Sequence, residues 1–147
     1  MKFLILAFFA ALTLGLSGCS DSPEVEREIH EISDRFFSSQ MMTIMHEPDD
    51  FLGHIIRYEG IFMSMYWEST SEMIYYVVRW DDCCGRGDVL GLEVYLNDIE
   101  PLEDNTWVEI TGVLEIVHIA GYGELVRLNA VSLIERERLN VEIIQGR

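Results

Sequence analysis

The 147-residue chain carries 26 acidic against ten basic side chains, a net charge of −16. That balance argues against a nucleic-acid partner, because such binding draws on phosphate neutralisation by Lys and Arg. It favours cationic partners (a metal ion, a basic peptide or a basic protein face) as well as simple solubility. Three cysteines are too few for a disulfide framework, so one domain must be held by apolar packing.

Met1-Lys2 precedes an apolar run from Phe3 to Leu16. One positive charge ahead of such a run is the pattern of a secretory signal. The run is short for a membrane span, which takes about 20 helical residues. It closes on Leu16-Ser17-Gly18-Cys19, which resembles the lipobox of bacterial lipoproteins. The resemblance implies a signal peptide over 1–18, cleavage before Cys19, and diacylglyceryl and acyl (palmitate-type) groups on Cys19. Two acyl chains hold a protein on a bilayer where one gives only marginal binding. Residues 19–23 would then be a lipidated tether, with the lipid bilayer as the first partner. Ser20, not Asp, follows the cysteine. In that family this directs the protein to the outer membrane where the cell has one, and otherwise to the extracytoplasmic face of the envelope.

Ser22-Pro23-Glu24 reads as a helix start. Val25, Ile29, Ile32 and Phe36 recur at helical steps, so an amphipathic helix is predicted over 24–46, ended by Glu47-Pro48-Asp49-Asp50. From His54 the period changes to two. Ile56, Tyr58, Gly60 and Phe62 share one face of a first strand, and Ile74, Tyr76, Val78 and Trp80 one face of a second. Leu90, Leu92, Val94 and Leu96 give the clearest alternation. After a polar connection from Asn97 to Asn105 come Val108, Ile110, Gly112, Leu114 and Ile116. The Gly121-Tyr122-Gly123 turn then leads into Val126, Leu128 and Ala130. The expected fold is mainly β: a small five-stranded OB-like antiparallel barrel over 51–134, preceded by the N-terminal helix. Residues 135–147 mix charges with Val141, Ile143 and Ile144 and carry no predicted element. Arg57-Tyr58-Glu59-Gly60-Ile61-Phe62 and Glu109-Ile110-Thr111-Gly112-Val113-Leu114 share a spacing. Glycine within a strand marks a bend, which a curling sheet needs twice here.

From Phe51 to Leu133 the chain resembles a family of uncharacterised bacterial OB-like proteins. The matching residues are Phe51-Leu52-Gly53, Ile56 to Gly60, the strand ending at Arg79, the paired Cys83-Cys84, Gly91, and Trp107 to Val113. Some members of that family are lipoproteins, and related domains occur in membrane proteins associated with predicted permeases. The resemblance implies a fold but no activity.

Two groups of residues are candidates for chemistry. Cys83 and Cys84 are adjacent. Neighbouring Cα atoms lie about 3.8 Å apart, whereas disulfides prefer roughly 4.4–6.8 Å. As strand neighbours they would point to opposite faces, and the usual CxxC spacing of a zinc site is absent. Four readings stay open: thiols buried in a turn, a metal site completed by Asp81 and Asp82, a vicinal disulfide, or a redox pair. Met63, Met65 and Trp67 alternate on the face opposite Tyr58 and Phe62, where soft sulfur donors would suit Cu(I). Met41, Met42, Met45 and His46 add donors nearby, although methionine at such spacing also fills core gaps. His30, His46, His54 and His118 show no ligand spacing, and Arg86-Gly87-Asp88 is a tripeptide any Gly-rich hairpin can spell. No Ser-His-Asp pattern, phosphate loop or acid–base pair is present. The expected protein is a membrane-anchored, non-catalytic binding or accessory module without a cofactor. The alternative is a copper- or zinc-handling protein built on Cys83 and Cys84.

Overall fold

A computed structural model describes residues 28–81 and 88–138. The predicted signal peptide, Cys19, the tether, Asp82, Cys83, Cys84 and the tail from 139 lie outside those residues. The elements are β1 (Ile29–Glu31), α1 (Phe37–His46), β2 (Ile55–Trp67), β3 (Glu72–Asp81), β4 (Asp88–Tyr95), β5 (Trp107–Ile119) and β6 (Gly123–Glu135), with single 3-10 turns at Asp34–Phe36 and Pro48–Phe51.

Strands β2 to β6 close a five-stranded barrel in the order β2-β3-β4-β6-β5, with β5 returning to β2. One long strand makes closure possible. The first half of β2, from Ile55 to Ile61, pairs with β5, and its second half, from Ile61 to Trp67, pairs with β3. The predicted OB-like barrel is therefore present. It is mixed rather than wholly antiparallel, because Glu93, Val94 and Tyr95 of β4 run parallel to Arg127, Leu128 and Asn129 of β6. That parallel junction follows from connectivity: β5 crosses to pair with β2, and β6 returns beside β4.

The repeated glycines lie where the sheet curls. A side chain at Gly60 would place its Cβ 2.8 Å from the Val78 carbonyl oxygen, and one at Gly112 2.9 Å from that of Asn129. The β5–β6 register shifts between Thr111 and Gly112, as a strand bulge requires. Four of the five alternations point inward as read, with Phe62 of the first strand and Leu92, Val94, Leu96, Val108, Ile110, Leu114 and Leu128 among the buried core. The first strand behaves likewise at Ile56 and Tyr58.

The face of β3 differs from the sequence expectation. Phe62 pairs with Val77, which turns Val77 and Tyr75 to the main core and Ile74, Tyr76, Val78 and Trp80 to the outer face of the barrel. On that face Ile74 and Val78 are nonetheless buried and Trp80 is exposed. Both parities of Ile74-Tyr75-Tyr76-Val77-Val78 are apolar, so alternation alone does not choose between them.

The helix is also shorter than predicted. Ile29 to Glu31 form a parallel strand on Ile55 to Arg57, and the α-helix begins only at Phe37. The Ile55 amide donates to the Glu28 carbonyl at 3.0 Å, and the Ile32 amide donates to that of Arg57 at 2.9 Å. Pairing with an open strand edge thus outweighs a helical repeat at Ile29, Ile32 and Phe36. The face that α1 buries is Phe37, Met41 and Ile44, so Met41 is core packing and unavailable as a ligand.

Inside the barrel, the Tyr58 hydroxyl donates to the Val77 carbonyl at 2.8 Å and accepts from the Leu92 amide at 3.2 Å. Val77 and Leu92 are register partners across β3 and β4, so one phenol on β2 ties a rung of the next two strands. Burial pushes this phenol well above its ordinary value, which keeps it a donor. Tyr58→Phe removes both bonds and leaves a buried amide and carbonyl short of a partner. The expected cost is about 1–3 kcal/mol, read as a lower denaturation midpoint at unchanged slope. A variant as stable as the parent would mean that the rung is already complete without the phenol.

Candidate functional site

The strands that close the barrel extend past it as two hairpins, β2–β3 and β5–β6. Their ends meet: Trp67, last in β2, packs edge-to-face on Tyr122 in the β5–β6 turn, with ring centres 4.9 Å apart. Positive φ at Gly121 (84°) and Gly123 (97°) lets that turn close tightly. A cleft of about 700 Å³ lies against this contact, and its lining includes Trp67, Met73, Glu93, Tyr95, His118 and Arg127.

Register decides which charges reach the cleft: Glu93 and Arg127 line it, and Tyr76 and Glu115 flank them on the neighbouring strands. Tyr76 pairs with Glu93, Glu93 with Arg127, and Arg127 with Glu115, one outward position on each of four adjacent strands. Arg127 Nε donates to Glu115 Oε1 at 2.6 Å, and its guanidinium lies 4.6 Å from the centre of the Tyr95 ring. The row therefore holds two carboxylates and one cation, and the cation is engaged by Glu115. Burial raises the Glu93 carboxyl above its ordinary value of 4.5, with Arg127 opposing the shift. The Tyr76 phenol is raised too, by burial and then by the Glu93 charge.

A second polar cluster occupies the opposite end of β3. Arg79 fills the gap where β2 leaves β3. Its Nε donates to the Glu59 carbonyl at 2.5 Å and its Nη2 to Asp34 Oδ1 at 2.7 Å. Phe37 and Trp107 flank the guanidinium at 4.4 and 5.3 Å. Trp107 Nε1 in turn donates to Glu59 Oε2 at 2.8 Å. Each of these groups is engaged by its neighbours, and the cluster ties α1 to the barrel.

The residues singled out from sequence are dispersed. Asp81 ends β3, and its backbone pairs with Asp88 at the start of β4, so Asp82, Cys83 and Cys84 fall in the β3–β4 connection, outside the described residues. Met63 and Met65 do share a surface: with Tyr76, Val78 and Val89 they line a shallow groove of about 300 Å³ on the outside of β2, β3 and β4. Trp67 continues their alternation but belongs to the cleft. Among the described residues, no three His, Cys, Asp or Glu side chains form a metal-binding group. His30 and His54 pack edge-on against Phe51. Glu93, Tyr95 and Arg127 were not anticipated. The signal for the two charges is present in the sequence: each stands between apolar neighbours at an outward position, in Leu92-Glu93-Val94 and Val126-Arg127-Leu128.

A family model described as the DUF1980 C-terminal domain matches residues 20–136. The chain belongs to that family. The DUF1980 C-terminal domain match takes in every described strand and ends just past β6, so both hairpins and the whole cleft are parts of the family domain. No curated protein matches the chain.

The raised carboxyl of Glu93 has a consequence for stability. A group whose folded value lies above its unfolded one contributes most below the unfolded value, and that contribution is lost as pH rises through the folded value. Glu93→Gln is neutral at every pH. It should raise the melting temperature at neutral pH, with the gain shrinking as pH falls towards 4.5 and below. Tyr76, Arg127 and Glu115 are the charged or titratable groups of the row facing this position. A melting difference that ignores pH would show that Glu93 bears no such penalty.

Proposed function

We propose that this DUF1980 C-terminal domain is a non-catalytic binding module, held on the extracytoplasmic face of a bacterial envelope through an acylated Cys19, with its ligand seated in the cleft between the two hairpins. The observation that carries the reading is the placement of that cleft. OB-like barrels take their ligands on the face of the second and third barrel strands and the loops beside them. Here those strands are β3 and β4, and the loops are the tips joined by Trp67 and Tyr122. This step is analogy of fold, made specific by the residues present. Exposed aromatic surface beside a few fixed polar groups is the composition of a small-ligand site.

The lipid anchor rests on the sequence Leu16-Ser17-Gly18-Cys19. Its test is metabolic labelling with palmitate in the native host: label and membrane association should both disappear in Cys19→Ala, and retention of both would exclude this anchor. The binding reading is tested on the purified domain by NMR with a panel of small acidic, basic and neutral aromatic probes. Shifts should cluster at Trp67, Tyr95 and Arg127 and vanish in Tyr95→Ala. Cu(I) and Zn(II) belong in the same panel. Shifts centred on Met63 and Met65, or on Cys83 and Cys84, in place of the cleft would turn the assignment to metal handling.

A further inference from the structure

Resting on the cleft reading, we infer that the ligand is an organic cation, an ammonium or guanidinium group that sits on Glu93 with its apolar body against Trp67, Met73 and Tyr95. The charge arrangement points this way first. Arg127 is committed to Glu115 at 2.6 Å and lies over Tyr95, so the row of three charges keeps one negative charge in excess at Glu93. Glu72 adds a second carboxylate to the cleft lining. An incoming anion would meet Glu93 and compete with a carboxylate already in contact with Arg127, whereas a cation completes the row without breaking any contact in it.

The aromatic walls supply the second part of the recognition. Tyr95, 49 % exposed, and the half-buried Trp67 line the cleft, and Trp67 is fixed by its contact with Tyr122. The Trp67 ring face attracts cations through its quadrupole, most strongly where water is partly excluded, and Tyr95, already carrying Arg127 over its ring, offers apolar contact. The third part acts at distance. A chain of net charge −16 raises the local concentration of cations and repels anions before contact. Finally, the barrel has no need of a carboxylate at position 93. Burial already penalises its charge, and a bound cation would remove that penalty.

Two sources can present this chemistry: a basic side chain on a peptide or protein partner, and a free small amine. Both are tested together on the full chain by NMR titration. The cations are phenethylamine and acetyl-Gly-Arg-Gly-amide; their neutral twins are phenethyl alcohol and the citrulline peptide, and phenylacetate serves as the anion. The expected result is that a cation binds several-fold more tightly than its neutral twin. Its shifts should fall at Glu93, Tyr95 and Trp67, the preference should weaken with added salt, and Glu93→Gln should collapse the ratio. A tighter arginine peptide identifies a protein or peptide source, and a tighter amine a free one. Equal binding of cation and neutral twin, or a preference that survives Glu93→Gln, overturns the inference while the cleft remains a binding site. Absence of any cleft shift with all five probes overturns the cleft reading itself, and this inference with it.

Discussion

The Tyr58 hydroxyl is the one polar group that the barrel interior depends on. It leaves β2 and reaches a carbonyl of β3 and an amide of β4, so three of the five strands share a single oxygen. Among the described residues no charged side chain is buried, and the surrounding core of Phe62, Val77, Leu92 and Ile110 is apolar. In such surroundings an unmade hydrogen bond is costly, which fixes the phenol in one place. That position in turn fixes how closely β2 approaches the β3–β4 pair. The approach leaves no room for side chains at Gly60 or at Gly91, whose Cβ would run into the backbone of β3. Curvature, closure and register are thus one constraint.

A barrel closed in this way leaves little freedom for chemistry inside. Inward positions are filled, so function must come from outward positions and from the ends. The two ends are treated differently. At one, α1 delivers Phe37 beneath the Arg79 guanidinium, and Asp34 and Glu59 complete its bonding. Arg79, Asp34, Glu59 and Trp107 there engage one another. At the other, the hairpins overshoot the barrel and meet through Trp67 and Tyr122. The cleft exists because β2, β5 and β6, at 13 residues each, are longer than a five-stranded barrel uses.

The legibility of these features in sequence follows their physics. Strands with one apolar face, such as Leu90 to Leu96 and Val108 to Ile116, specify which side is buried, and the structure agrees. β3 is apolar on both faces, so only its pairing with Phe62 decides that Val77 is inside. The segment Ile29 to Glu31 has helical spacing yet forms a strand, because a free edge of β2 is a tertiary fact that no local repeat encodes. The repeated Gly60 and Gly112 were readable because sterics act locally. The cleft was not, since Trp67, Glu93 and Arg127 are distant in sequence and meet only through cross-strand register. Chemical reactivity points to Cys83, Cys84 and the methionines, whereas among the described residues the shifted groups Tyr58, Tyr76 and Glu93 are of ordinary type.

That contrast bears on how a site in this fold should be sought. A side chain that merely completes a barrel should sit where its environment favours it, as Val77 and Leu128 do. Glu93 does not: its charge is penalised by burial, and its neighbour Arg127 is already held by Glu115. Simple solubility does not require it either, since a chain with 26 acidic residues has ample exposed charge elsewhere. A residue kept against local stability is expected at a functional position more often than at a structural one. The row Tyr76-Glu93-Arg127-Glu115 also contains its own control. Glu115 has the same charge, and it holds the Arg127 Nε in direct contact. The two carboxylates flanking one arginine therefore differ in their contacts: Glu115 is paired with Arg127, and Glu93 faces the cleft that the hairpins build.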